Sequence, residues 1–114
     1  MKLFTYPDIR TMERQNKAAA EAIADDGDTP DMQPVVKIFD PTGAATWLLS
    51  EYDPETRMFF GLADLGMGCP ELGYVSRDDL EGARGRRGLP LERDLHFTPS
   101  KTLREYAEEA RAAG

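Results

Sequence analysis

Two Asp-Pro turns, Asp40-Pro41-Thr42-Gly43 and Asp53-Pro54-Glu55-Thr56, divide a stretch rich in β-branched and aromatic residues. Proline presets φ for the first central position of a tight turn, and Asp, Thr and Gly suit the positions around it. The runs between the turns are therefore predicted as strands: Val35–Phe39, Ala45–Tyr52 and Arg57–Ala63. Strands joined by connections this short can only pair antiparallel, which makes a meander the economical topology.

The flanks change period. From Asp8 to Asp25 the apolar residues Ile9, Met12, Ala19 and Ile23 recur at helical spacing, and Pro7 and Asp8 suit a helix start. Asp25-Asp26-Gly27-Asp28-Thr29-Pro30-Asp31 reads as a polar connector. Beyond Gly66, Gly68 and Pro70, Leu72–Val75 forms a short fourth strand, and Ser76 is an N-cap for a short helix through Ala83. Leu89–Phe97 is extended or irregular. A last helix is expected from about Thr98-Pro99, burying Leu103, Tyr106, Ala107 and Ala110. The expected fold is α+β over residues 1–114: an antiparallel meander of about four strands, an N-terminal helix, a short helix after the sheet and a C-terminal helix. The aromatics Trp47, Tyr52, Phe59, Phe60 and Tyr74 are assigned to the core. Phe59 and Phe60 alternate in direction, so both sheet faces are partly apolar and call for helical cover.

With 114 residues and 40% hydrophobic content, the chain can bury one modest core without staples. One cysteine, Cys69, excludes an intrachain disulfide and suits a reducing compartment. No apolar run reaches the ~18–20 residues of a membrane span, and the N-terminus lacks a secretory signal pattern, so a cytoplasmic location is expected. The 21 acidic against 14 basic residues leave a net charge of -7, which repels phosphate backbones and disfavours direct nucleic-acid binding. An acidic face instead suits solubility or a basic protein groove.

Candidate chemistry is sparse. His96, between Leu95 and Phe97, has Asp94 two residues away but no evident nucleophile, and a structural role is the stronger reading. Cys69 sits in a glycine-rich loop that lacks the ending of a phosphate loop. One Cys and one His cannot fill a tetrahedral zinc site, and the Asp26–Asp31 stretch departs from a calcium loop, so no metal and no cofactor are expected. Arg84, Arg86 and Arg87, with Arg77 and Arg93 nearby, form the one local basic cluster, suited to an anion. Pairing with Asp78, Asp79, Glu81, Glu92 and Asp94 is the plainer expectation.

The ordered blocks Trp47, Glu51-Tyr52-Asp53-Pro54-Glu55-Thr56, Phe59-Phe60-Gly61-Leu62, Glu71-Leu72-Gly73-Tyr74 and Gly88-Leu89-Pro90-Leu91-Glu92-Arg93-Asp94-Leu95 resemble a bacterial family of unknown function, DUF2958. The resemblance spans about Pro34 to Pro99. It implies a compact domain and a setting on conjugative plasmids and other mobile elements, and it carries over no catalytic residue. With the acidity, this leads to an expected noncatalytic protein-interaction module, one version being an anti-defence inhibitor of a basic, nucleic-acid-binding host protein. The rival is a small enzyme or ligand-binding domain in which Glu71, Tyr74, Arg93, Asp94 and His96 converge on a pocket. A third reading is a nucleic-acid accessory domain using Arg84, Arg86 and Arg87.

Overall fold

The computed structural model describes residues 2–113. Helix α1 spans Tyr6–Asp26, with Pro7 in its first turn. The Thr5 hydroxyl caps it by accepting from the Asp8 amide, and Gly27, in the left-handed region at φ 77°, closes it by donating to Ile23 O. Ile9, Met12 and Ala19 are buried as their spacing predicts, whereas Ile23 is 46% exposed.

Strands β1 (Val36–Phe39), β2 (Thr46–Asp53), β3 (Met58–Asp64) and β4 (Glu71–Ser76) form the predicted antiparallel meander. Helix α2 (Arg77–Gly82) follows directly, with the Ser76 hydroxyl accepting from the Asp79 amide as its N-cap. A short fifth strand, β5 (Glu92–Arg93), lies in the segment expected to be extended or irregular. It pairs with β1, giving the order β4-β3-β2-β1-β5. The sheet thus has one strand more than expected, because a two-residue strand leaves no periodicity to read.

The last helix, α3, spans Leu103–Ala113 and starts later than expected from Thr98-Pro99. Its start is set by a capping box: the Thr102 amide donates to the Glu105 carboxylate, and the Glu105 amide donates to the Thr102 hydroxyl. The connector after α1 satisfies two more first-turn amides, since Leu103 N–H donates to Met32 O and Arg104 N–H to the Asp31 carboxylate.

The alternation of Phe59 and Phe60 separates two apolar layers. Phe59, wholly buried, joins Phe4, Met12, Ile38, Leu49, Tyr52 and Leu80 beneath α1 and α2. Phe60 packs with Leu62, Leu72, Leu103 and Ala107 beneath α3. Both faces are therefore covered by helices, as the alternation required. Tyr74 departs from its core assignment: it is 73% exposed, standing on edge strand β4.

One irregularity shapes the sheet. Leu49 pairs with Gly61 and Glu51 with Phe60, so Ser50 is an extra residue, a β-bulge. Beside the bulge the strands approach closely: a Cβ on Gly61 would lie 2.1 Å from Leu48 O. β1 accompanies β2 only to Leu49, leaving Ser50–Asp53 without a strand on that side. Helix α1 packs there instead, and the Gln15 amide donates to Ser50 O at 2.5 Å. A sheet edge is thereby closed by a helix.

Candidate functional site

A cavity of about 290 Å³ opens where the end of α1, the connector and the start of α3 meet the β2–β4 surface. Its walls are mostly apolar, including Ile23, Met32, Phe60, Leu72 and Leu103, with Tyr74 among the lining residues. Phe60 and Tyr74, cross-strand partners, stand edge to face with ring centroids 5.2 Å apart.

Glu51 also lines this cavity. It is 7% exposed, and among the described residues its carboxylate has neither a hydrogen-bond donor nor an ion-pair partner. A carboxylate withdrawn from water without a partner loses solvation, and burial raises the Glu51 pKa above the ordinary carboxylate value. Among the described residues no side-chain polar atom is both fully sealed and unpartnered, so the carboxylate keeps contact with the cavity space. Asp31 and Arg104 complete the charged lining. Both are engaged: Asp31 accepts from the Arg104 amide, and the Arg104 guanidinium donates to Thr29 O at 3.1 Å.

The mouth adjoins an acidic surface. α1 ends on Asp25 and Asp26 with no basic residue in its last turn, followed by exposed Asp28. Acids at a helix C-terminus oppose the macrodipole. Among the described residues none of these three aspartates has an ion-pair partner.

The residues singled out in the sequence separate into three places. Tyr74 lines the Glu51 cavity, while Glu71, three residues earlier on β4, points to the opposite face, beside a shallow groove floored by Gly61 and Gly73. Arg93 and Asp94 lie at β5, the far edge of the sheet, and His96 follows them. Arg93 pairs with Asp8 of α1 at 3.5 Å. Asp94 accepts from the backbone amide of His96, whose side chain is on an exposed residue. Glu71 and Tyr74 are thus separated from Arg93, Asp94 and His96 by the width of the sheet, and the five share no cleft.

Arg84, Arg86 and Arg87 occupy a tight hairpin. Arg84 bridges Pro90, Gly85 N–H donates to Leu89 O at 2.7 Å, and Arg87 sits at φ 62°. The hairpin rests on the first Asp-Pro turn, where a Cβ on Gly85 would meet the Asp40 carboxylate at 2.5 Å. Of the five acids expected to neutralise these arginines, Asp78 and Glu81 are engaged elsewhere. Arg57 holds Asp78 at 2.7 Å and approaches Glu81, and Arg77 also pairs with Glu81. The Arg57 hydrogen bond lowers the Asp78 pKa. Among the described residues no carboxylate lies within ion-pair distance of Arg84, Arg86 or Arg87.

Cys69 is exposed, and among the described residues no group of three His, Cys, Asp or Glu side chains is placed to hold a metal ion. Among the described residues no helix is long and apolar enough to cross a membrane.

Sequence reasoning did not single out Glu51 as a site residue. This acid entered only as the first residue of the block Glu51–Thr56 that carries the family resemblance. The pattern carries no sign of the bulge that sets its face, so its burial was not legible.

The fold and cavity together define a small α+β domain: an antiparallel sheet between helices, with an acid set into an apolar recess. The chain belongs to the family described as "Protein of unknown function (DUF2958)", whose model matches residues 3–114. The match takes in both terminal helices, well beyond the Pro34–Pro99 core of the resemblance. No curated protein and no solved structure matches the chain.

Proposed function

We propose that this protein is a noncatalytic protein-interaction module of a mobile genetic element, working in the cytoplasm on a basic protein partner. The observation that carries the reading is the acidic end of α1. Asp25, Asp26 and Asp28 stand exposed, without an ion-pair partner among the described residues, where the helix dipole is already negative, next to a cavity containing a buried carboxylate. Charges set against a local rule without internal compensation are expected where a partner provides the compensation. A basic groove that normally holds nucleic acid has the matching charge. The biological version of this reading is an anti-defence inhibitor that occupies such a groove on a host protein.

The test is capture from lysates of defence-competent bacterial hosts by the tagged full chain, followed by mass spectrometry. The expected result is a basic, nucleic-acid-binding protein released by moderate salt and competed by DNA or RNA. Recovery of no specific protein across several hosts would contradict the proposal.

A second reading has its own observation. The three arginines of the Arg84–Pro90 hairpin, without an ion-pair partner among the described residues, form a cationic tip suited to an anionic surface. Salt-sensitive nucleic-acid binding, abolished by neutralising Arg84, Arg86 and Arg87, is its signature.

A further inference from the structure

We infer that the Glu51 cavity is a binding site for an aliphatic cation, an alkyl stem ending in a primary ammonium group. The inference deepens the interaction reading by naming what enters the cavity beside the acidic patch, and it rests on that reading only for the source of the cation.

Three features select this chemistry. First, Glu51 is more than nine-tenths buried and has no partner among the described residues, so the site contains a buried negative group without a neighbouring cation. A buried charge without a partner is unfavourable, and an entering cation would remove that cost. Second, the remaining walls are largely apolar: Ile23, Met32, Leu72 and Leu103 offer a lining for methylene groups, as long cationic side chains require. Third, the Phe60–Tyr74 pair provides aromatic faces beside the carboxylate, and ring quadrupoles attract an ammonium group. The cavity, about 290 Å³, is near the lower limit of small-molecule sites, roughly 300 Å³. That suits one side chain or a short amine rather than a cofactor.

The other charged lining groups do not supply the missing partner. Arg104, whose guanidinium donates to Thr29 O, is not within ion-pair distance of Glu51. Asp31, which accepts from the Arg104 amide, has no ion-pair partner among the described residues and adds a second negative charge to the lining. A neutral ligand would leave Glu51 uncompensated, and an anionic one would add repulsion.

The test is an NMR titration of the full chain with n-butylammonium chloride, with n-butanol as a neutral match at the same ionic strength. Saturable shifts are expected at Ile23, Phe60, Leu72 and Tyr74, with n-butanol binding at least tenfold more weakly. Glu51→Gln should weaken butylammonium at least tenfold, while Glu55→Gln, in the exposed β2–β3 turn, should leave it unchanged. Equal binding of butanol and butylammonium to the wild-type chain would overturn the assignment without relying on any variant. So would undiminished binding to folded Glu51→Gln. Comparison of Gly-Lys-Gly with spermidine then identifies the source: preference for the peptide assigns the cation to a protein lysine, and preference for spermidine to a free polyamine. Saturable amine binding that depends on Glu51, combined with failed protein capture, would retain the cavity assignment and reject the interaction module. Successful capture without amine binding would do the reverse.

Discussion

Glu51 lies directly opposite Phe60 across β2 and β3, and the extra residue Ser50 is what puts it there. In a regular strand Glu51 would share a face with Leu49 and enter the layer beneath α1. The bulge turns it to the α3 side, into the cavity. One inserted residue therefore converts a charge that would have broken the core into a potential binding group.

This placement predicts a pH signature. Burial raises the folded-state pKa of Glu51, so the native state holds its proton more tightly than the unfolded chain does. The associated stability is fully present below the ordinary carboxylate range and is lost as pH rises through the folded-state value. Glu51→Gln removes that loss. Thermal unfolding is expected to show the variant melting a few degrees higher than wild type at pH 7, with the advantage shrinking towards pH 4. A lower melting temperature at pH 7 would mean that Glu51 has a stabilising partner after all.

Two glycines on adjacent strands should respond oppositely to alanine. At Gly61 a methyl group would collide with Leu48 O at 2.1 Å, whereas at its register partner Gly73 nothing lies within 4 Å. Gly61→Ala is expected to cost about 3 kcal/mol or more in urea unfolding, because neighbouring backbone must move. Gly73→Ala is expected to be neutral or to gain about 0.5 kcal/mol through reduced unfolded-state freedom. Equal effects would contradict the close approach at the bulge.

The ends of α3 and α1 set a third contrast. Thr102→Ala removes half of the capping box and is expected to cost about 1 kcal/mol, with faster amide exchange in the first turn of α3. Asp26→Asn relieves an unfavourable charge at the C-terminus of α1 and is expected to stabilise by a few tenths of a kcal/mol at low salt. A destabilised Asp26→Asn would show that the acid has an internal role.

Legibility in the sequence tracked the range of the interaction. The Asp-Pro turns, the strands between them, the Ser76 cap and the division of Phe59 from Phe60 are local or periodic, and all were readable. The start of α3 was expected at Thr98-Pro99 and falls later because the Thr102–Glu105 capping box, not singled out in the sequence, sets it. β5 is defined by its pairing to β1 rather than by its own two residues. Tyr74 was assigned to the core because aromatic character marks burial on average, but an edge strand leaves its outer ring in water. The candidate site was the least legible part. Tyr74 was named, but the buried acid beside it acquires its meaning from a register shift that leaves no pattern in the sequence. The charged segment from Glu71 to His96, read as one site, is divided between opposite edges of the sheet.

Whether the acidic end of α1 engages a basic protein is decided by comparing what the wild-type chain and an acid-neutralised variant retain. Host lysate is passed over the wild-type chain and over Asp25→Asn/Asp26→Asn/Asp28→Asn, and the retained proteins are quantified at low and at physiological salt. The account predicts a basic protein retained by the wild type, lost on raising salt, and reduced at least tenfold by the triple variant while the fold persists. Equal retention by both chains would contradict it.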